Sequence, residues 1–201
     1  MKAYRVSNVE QFRQWENDDD YELETLLSRL YGLEEPSEAM QAGTAFHKCL
    51  ELSQSGLIAD RMEHDGFVFT FEGDFILVLP EIRELRAHKV FMVDGEPIVI
   101  TGQVDAIEGR RIDDTKTTGN FSPDRYLDGY QWRLYLSIFG ANHFRWNVFE
   151  IANLADDPPK QYRVRNHHTL EQFRYPGMED DCQALVERFA RFVREHLREA
   201  A

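Results

Sequence analysis

The chain has 201 residues, of which 42% are hydrophobic and 29% charged, as is ordinary for a globular protein with one sizeable core. Its formal net charge of -13 argues against membrane or nucleic-acid binding by bulk attraction, so any polyanion would have to be gripped locally. Cys49 and Cys182 form no Cys-x-x-Cys pair, and the sequence shows neither a disulfide framework nor a four-cysteine metal site. No apolar run approaches about 20 residues and the start does not resemble a signal peptide, so we expect a cytoplasmic protein without a membrane anchor.

The acidic residues are concentrated in the first half of the chain. Residues 1–100 hold 20 acidic and 9 basic side chains, whereas residues 101–201 hold 16 and 14. The densest acidic run, from Glu16 to Glu22, is interpreted as a solvated turn between helices, because such charge runs are usually solvated. The second half is nearly neutral and holds several basic clusters.

Three helices are predicted in the N-terminal quarter. Ser7 and Glu10 form a capping box for the first, and Ser37 caps the third, in which Gly43 lies among small residues that permit close packing. The predicted helices cover residues 8–17, 21–31 and 37–53.

From residue 66 onward the pattern is typical of strands. Asp94-Gly95 predicts a hairpin turn, and turn-like residues at 72–74 and about 108–109 separate further strands. Ser122-Pro123 begins one helix that ends near Phe139. Later elements are strands at about 143–151 and 161–166, a loop at 156–159 and a helix at 179–200.

This order of elements predicts an α/β (α+β) fold with a central mixed β-sheet flanked by helices. We predict one domain over 1–201, with an N-terminal helical extension at 1–36, a core at 37–170 and a C-terminal helix at 171–201. An apolar stripe on the last helix predicts packing on the core: Leu185, Phe189, Phe192 and Val193. Its basic stripe would touch DNA or a neighbouring subunit under the alternative interpretation: Arg188, Arg191, Arg194 and Arg198.

The most informative stretch is residues 102–118. A two-residue turn at Glu108-Gly109, or a four-residue loop, places Asp105 and Asp114 on one face of a hairpin together with Lys116. Two carboxylates about 4 Å apart repel by about 4 kcal/mol at an effective dielectric constant of about 20, and a divalent cation removes that cost. Oxygen ligands favour Mg²⁺ or Mn²⁺, beside which Lys116 would stabilise charge on a phosphate or orient a water molecule. The alternative is a solvated strand end in which Lys116 is a surface ion-pair partner.

Two helical pairs accompany this stretch. His47 and Glu51 are four residues apart and project from one face of the third helix, as do Gln131 and Tyr135 on the helix that follows the hairpin. Each residue taken alone is more typical of a structural or solvated position.

Together these pieces resemble the PD-(D/E)xK nuclease superfamily, and within it the RecB-like exonuclease branch. The resemblance runs, in the family's order, through GTAFHKCLE, GQVDAI, IDDTKTT and YQWRLY, and it covers roughly residues 37–151. The proline of the family name is absent, since Val104 precedes Asp105, and the four cysteines of iron-sulfur relatives are missing. The chain has no phosphate-binding loop of a helicase motor.

The resemblance implies a restriction-endonuclease-like core and a metal-dependent DNA nuclease that is an exonuclease. It implies that Asp105, Asp114, Lys116 and Gln131 are catalytic, and that His47, Asp105, Asp114 and the Thr115 carbonyl hold Mg²⁺ or Mn²⁺. Tyr135 is implied to bind substrate, and Glu51 and Glu84 are further candidates.

DNA contact is expected from basic residues near the site in sequence: Arg110, Arg111, Arg125, Arg133, Lys160, Arg163 and Arg165. The expected partners are DNA and, for its processing, a recombination or replication protein; the oligomeric state stays open. Two other functions stay open as well. One is a non-catalytic interaction protein on a nuclease scaffold, and the other is a nuclease for RNA or branched DNA.

Overall fold

The structure, a computed structural model, describes residues 3–53, 60–72, 79–154 and 160–197. The turn predicted at 72–74 and the loop predicted at 156–159 lie largely outside these ranges, as does Arg198. The helices are α1 (Val6–Glu16), α2 (Leu23–Tyr31), α3 (Glu38–Leu52), α4 (Asp124–Leu127), α5 (Gln131–Phe139) and α6 (Met178–His196). Within the described ranges, no helix is long and apolar enough to cross a membrane.

The strands form one mixed eight-stranded sheet flanked by helices, as the order of elements predicted. They are β1 (Ala3–Arg5), β2 (Arg61–His64), β3 (Phe67–Phe71), β4 (Ile82–Val93), β5 (Glu96–Glu108), β6 (Arg111–Thr118), β7 (His143–Asn153) and β8 (Gln161–Phe173). Their order is β1-β5-β6-β7-β8-β3-β2, and β4 pairs with β5. The β6–β7, β3–β8 and β1–β5 pairs are parallel and the others antiparallel. The hairpin predicted at Asp94-Gly95 is confirmed, because Val93 pairs with Glu96.

Two hydrophobic cores lie against the sheet. The larger joins the sheet to α1, α5 and α6 through residues such as Phe144, Trp132 and Phe189. The smaller is centred on Phe46 of α3, which packs against Phe69 and Phe149 with ring centroids 5.1 and 5.0 Å apart. Burying one such ring contributes about 2–3 kcal/mol, so these contacts hold α3 on the sheet.

The predicted capping box at the N-terminus is wrong. Residues 3–5 pair in parallel with residues 99–101 of β5, and α1 begins directly after this short strand. The first turn is instead closed by Asn8, whose Oδ1 accepts a hydrogen bond of 2.9 Å from the Arg5 amide. The sequence did not reveal β1 because its pairing partner is nearly one hundred residues away.

The single helix predicted at 122–139 is divided into α4 and α5. Glu10 of α1 causes the division: its carboxylate accepts a 2.7 Å hydrogen bond from the Tyr130 amide, just before α5 begins. A carboxylate at a helix N-terminus also interacts favourably with the helix dipole. The division makes Gln131 the first residue of α5.

The last helix packs on the core as predicted. Its apolar stripe is buried: Leu185, Phe189, Phe192 and Val193. The described part of its basic stripe is paired within the chain, since Arg188 contacts Glu16 at 3.1 Å and Arg194 contacts Asp94 at 2.8 Å. Arg191 is 3.5 Å from the same Asp94.

Candidate functional site

Strands β5 and β6 of the hairpin separate at the predicted acidic residues Asp105 and Asp114, and we call this point the fork. Its turn is Gly109-Arg110, one residue later than predicted, because Glu108 pairs with Arg111. The ladder ends at the pair Ala106 and Asp113. Asp105 and Asp114 are therefore the next residues on the two separating strands.

A side chain bridges the fork where the backbone ladder ends. The Thr115 amide donates a 2.7 Å hydrogen bond to Oδ2 of Asp105. This bond satisfies a buried backbone donor and fixes the Asp105 carboxylate beside β6. Thr115 was predicted to bind the metal ion through its backbone carbonyl. The observed contact of Thr115 with the site is made by its backbone amide.

Asp114 is the buried acid of the site. Its side chain is paired with Lys116, whose Nζ lies 2.7 Å from Oδ2 and 3.0 Å from Oδ1. Burial raises the pKa of Asp114 more than the Lys116 ammonium lowers it, and Asp105 adds to the increase, so this pKa lies above its ordinary value. Burial alone would lower the pKa of Lys116, but the charges of Asp114 and Asp105 raise it above its ordinary value.

Helix α3 brings His47 to the fork from the other side of the sheet. Its Nδ1 lies 3.4 Å from Oδ2 of Asp105. The close packing of α3 on β6 needs Gly43, since a Cβ there would lie 3.1 Å from Oγ1 of Thr117. Although burial raises the pKa of Asp105, its contacts with His47, Lys116 and the Thr115 amide hold the pKa below its ordinary value.

Helix α5 places Gln131 and Tyr135 on the opposite side. Burial together with the charge of Asp114 raises the pKa of Tyr135, whereas the neighbouring Gln131 side chain acts to lower it. Tyr135 lies directly over β5, where a Cβ at Gly102 would be only 3.0 Å from its ring. Gly102 therefore has a packing role that the absence of a side chain makes possible.

Glu51 and Glu84 line the same cleft as His47 and Asp105. Glu51 is paired with Lys48 at 2.6 Å, and Glu84 accepts a hydrogen bond from the side-chain amide of Gln103. Both carboxylates are therefore near the fork, but each is already engaged by a neighbour other than the two aspartates.

The predicted DNA-contacting arginines do not gather at the fork. Arg111 is bound to Asp113 and Glu108 at 2.9 and 2.6 Å, and Arg110 donates to a backbone carbonyl. Arg133 is built into the break between α4 and α5, where it donates a 2.6 Å hydrogen bond to the Gly129 carbonyl.

The remaining basic residues also lie elsewhere. Arg125 is exposed in a groove lined by acidic residues of the α1–α2 turn. Lys160 lies over the ring of Phe67, Arg163 is 2.9 Å from Glu72, and Arg165 is exposed on β8.

Tyr126 is a neighbour of the site that the sequence interpretation missed. Its ring lies 6.4 Å from that of Trp146, the β7 residue that pairs with Asp114, and burial raises the pKa of its hydroxyl. Nothing in the sequence sets this tyrosine apart from the other aromatic residues of the single helix predicted at 122–139. The structure places it on α4, where the charges of Lys116 and Asp114 both influence its pKa.

The side chains at the fork suit a particular kind of metal site. Within the described ranges, no group of three or more histidine, cysteine or acidic side chains is arranged as a complete cation site. Mg²⁺, however, is usually held by one or two carboxylates while it keeps several water molecules and binds substrate phosphate. Asp105 and Asp114, with His47 beside them, fit an ion of that kind.

The chain is similar to known proteins in its fold only. No protein-family model matches the chain, and no curated protein is similar to it in sequence. The crystal structure of SSO0001 has a TM-score of 0.53 at 14% identity, over 96% of this chain and 77% of that one. An alkaline exonuclease (LHK-Exo) from Laribacter hongkongensis has a TM-score of 0.44 at 14% identity, over 96% and 88% of the two chains. At these identities the first similarity establishes a shared fold, and the second is too distant to support an inference.

Proposed function

We propose that this protein is a Mg²⁺- or Mn²⁺-dependent nuclease that hydrolyses phosphodiester bonds of DNA. The observation that carries the proposal is the meeting of His47, Asp105, Asp114 and Lys116 at the fork. These residues come from separate segments of the chain, and their types and order resemble those of the PD-(D/E)xK superfamily. Chance patterns of short sequence motifs have no reason to converge on one place in a fold.

The electrostatics of the fork also favour a cation. Asp105 and Asp114 share one ammonium, that of Lys116, and the pKa of Asp114 is raised by burial and by Asp105. A pair of carboxylates that is incompletely neutralised attracts a divalent ion, because the ion removes their mutual repulsion. Asp105, Asp114, His47 and the Thr115 carbonyl would hold it.

The residues of the chain have distinct roles in this reaction. A bound divalent ion would acidify a water molecule and neutralise charge on the phosphate. The Lys116 ammonium, held against Asp114, donates hydrogen bonds to the attacking water or to a non-bridging phosphate oxygen. Gln131, whose side chain neighbours Tyr135, would position the scissile phosphate or the Lys116 side chain. Tyr135 closes this side of the site against water.

We further propose that the enzyme acts on DNA ends, because the helical histidine and the Gln131/Tyr135 pair are features in which the chain resembles the RecB-like exonucleases. Exposed Arg110 and Arg125 remain candidates for phosphate contact. With few phosphate contacts available on an acidic chain, affinity for DNA should fall only moderately with added salt. Such an enzyme would act in DNA processing, recombination or repair.

A substrate panel tests the proposal. Labelled linear duplex, circular duplex, single-stranded DNA, branched DNA and RNA are incubated with the protein and Mg²⁺ or Mn²⁺, with EDTA as the negative control. We expect cleavage of linear DNA, loss of activity in EDTA, and loss in Asp114→Asn and Lys116→Met. Asp94→Asn, in the turn at the opposite end of β5 from Asp105, is the matched control and should remain active.

Several outcomes would contradict this proposal. Cleavage by Asp114→Asn at the native rate would show that the activity belongs to another site or to a contaminant. Preferential cleavage of RNA or branched DNA would change the assigned substrate. If the native protein cleaves nothing while it is folded, the scaffold function becomes the better interpretation.

Metal binding has a readout that does not depend on activity. An ion that binds only the folded protein raises the midpoint of thermal unfolding, and the increase grows with the logarithm of the ion concentration above its dissociation constant. We expect Mn²⁺ to raise this midpoint for the native protein and for Asp94→Asn, but not for Asp114→Asn. An equal shift in all three proteins would place the ion away from the fork.

A further inference from the structure

Three aromatic rings form a row immediately after β6. Phe121 stacks on His168 with ring centroids 3.9 Å apart and ring planes only 1° from parallel. The Phe121 ring is also close to the Tyr126 ring, with centroids 6.1 Å apart and ring planes 24° from parallel. All three side chains are half-buried, so each keeps part of its surface open to solvent.

The row begins beside the fork. The ring of Tyr126 lies 6.4 Å from that of Trp146, the β7 residue that pairs with Asp114, and Thr118, two residues beyond Lys116 on β6, pairs with Glu150 of β7. Because alternate residues of a strand share a face, Thr118 lies on the Lys116 side of the sheet. The rings therefore lead away from the position that a scissile phosphate would occupy.

One carboxylate holds the row in place. Oε1 of Glu150 accepts a 3.2 Å hydrogen bond from the Phe121 amide, while Oε2 lies 3.0 Å from Nε2 of His168. Asn166 donates a further 2.7 Å hydrogen bond to Oε2. Glu150 thus joins the loop that carries Phe121 to the strand that carries His168, and the rings are ordered before any ligand arrives.

A second stack provides a natural comparison at the other end of the same two strands. His143 and Phe173 stack with centroids 4.5 Å apart, and Phe173 is 57% exposed. That stack lies where β7 begins and β8 ends, next to the hairpin turn and away from Lys116. A histidine–phenylalanine stack by itself therefore does not indicate ligand binding. The stack of Phe121 on His168 differs from that of His143 on Phe173 because it lies beside the fork.

We propose that Tyr126, Phe121 and His168 form a stacking site for an unpaired nucleobase of the strand that is cut, next to the scissile phosphate. This inference rests on the proposed nuclease function. Aromatic side chains bind bases of any sequence, since every base has a π-face. In an intact duplex the neighbouring bases cover those faces, so a site of this kind selects a base that is unpaired or lies at a frayed end.

The experiment measures binding of a labelled single-stranded oligonucleotide in EDTA, where no cleavage occurs. One nucleotide at a time is replaced by an abasic linker, and the dissociation constant is measured for each oligonucleotide by fluorescence anisotropy. We expect one position to weaken binding to the native protein by about tenfold, the effect of losing one base–aromatic stack. An intact blunt duplex of the same length should bind more weakly than the single strand.

Two variants locate the effect. In Phe121→Leu the abasic penalty should disappear at that position, whereas Phe173→Leu, the matched control, should keep it. Thermal unfolding of each variant verifies that it is folded, and Tyr126→Leu serves as a second test if Phe121→Leu is not. The proposal is overturned if no position shows a penalty with the native protein, or if the penalty persists in the folded Phe121→Leu and Tyr126→Leu variants.

The stacking site and the nuclease activity can be tested independently of each other. Cleavage is measured independently in Mg²⁺ with the native protein and with Asp114→Asn. An abasic penalty that depends on Phe121, without any metal-dependent cleavage, would retain the stacking site and remove the nuclease. Cleavage without the penalty would retain the nuclease and remove the stacking site.

Discussion

The two faces of β6 carry neighbouring aspartates with different surroundings. Asp113 is 3% exposed and Asp114 4%, so both are buried to the same degree. Asp113 is held by two guanidinium groups, with Arg111 at 2.9 Å and Arg145 on its other oxygen. Asp114 shares the single ammonium of Lys116 with a second acid, Asp105.

The difference separates a structural carboxylate from one suited to chemistry. A buried carboxylate with a cation on each oxygen has its charge balanced within the protein, and its removal takes a partner away from both arginines. A buried carboxylate that is pushed toward protonation by burial and by a second acid is ready to accept another cation. Perturbation of this kind is typical of functional sites, where stability is given up for reactivity.

The largest expected effect is on activity. Asp114→Asn should lower metal-dependent DNA cleavage by about 100-fold or more, because it removes charge from the site where the metal and the phosphate meet. Asp113→Asn should keep most of the cleavage rate per folded molecule. The comparison is made with initial rates on linear duplex, normalised to the folded fraction. Equal losses in both variants would mean that the two faces are not functionally distinct.

The second-largest expected effect is on stability, and here Asp113 matters more than Asp114. Asp113→Asn should lower the free energy of unfolding by about 2 kcal/mol, because Arg145 loses its carboxylate partner and Arg111 keeps only Glu108. Urea denaturation monitored by tryptophan fluorescence measures the change. Adding Arg145→Met to Asp113→Asn should recover part of the loss. Additive losses in the double variant would argue against direct coupling of the two side chains.

A smaller effect is expected from the glycine under Tyr135. In Gly102→Ala the new methyl group would lie 3.0 Å from the Tyr135 ring, and the ring must move by a few tenths of an ångström. We expect a loss of about 1 kcal/mol in the free energy of unfolding, together with reduced cleavage. Gly119→Ala, which meets no atom within 4 Å, is the control and should change neither quantity. A fully active Gly102→Ala variant would show that the position of Tyr135 is unimportant.

The smallest effect is a pH dependence of stability measured in EDTA. The pKa of Asp114 in the folded protein is raised above the ordinary value of 3.8 by burial and by Asp105. Its contribution to stability is therefore greatest below pH 3.8 and is lost as the pH rises through the folded-state pKa. We expect the unfolding temperature of Asp114→Asn, relative to that of the native protein, to rise as the pH is raised from 4 to 7. A constant difference across this range would contradict the raised pKa.

Much of the local structure could be predicted from the sequence. Ser37 caps α3 through a hydrogen bond from the Met40 amide, and the turn at Asp94-Gly95 connects β4 to β5 as expected. Caps and two-residue turns depend on neighbouring residues, which the sequence displays directly. The turn of the β5–β6 hairpin was misplaced by one residue, because Glu108-Gly109 and Gly109-Arg110 differ little in local preference.

The candidate site was only partly visible in the sequence. The types and spacing of His47, Asp105, Asp114 and Lys116 indicated the chemistry, and the structure brings these four side chains together. The sequence did not reveal that Arg111 turns to Asp113, or that Tyr126 packs near Trp146, the strand partner of Asp114. Both depend on the face of a strand or the end of a helix, and a shift of one residue or one break changes them.

The sequence by itself determined the order of elements, the mixed sheet flanked by helices and the inventory of reactive side chains, because periodicity, caps and turns act over a few residues. Only the tertiary structure decided where the β5–β6 ladder ends, which aspartate meets two arginines, and how Glu10 divides α4 from α5. The last contact joins residues 120 positions apart. Contacts over such distances depend on how the elements pack, and no local pattern contains that information.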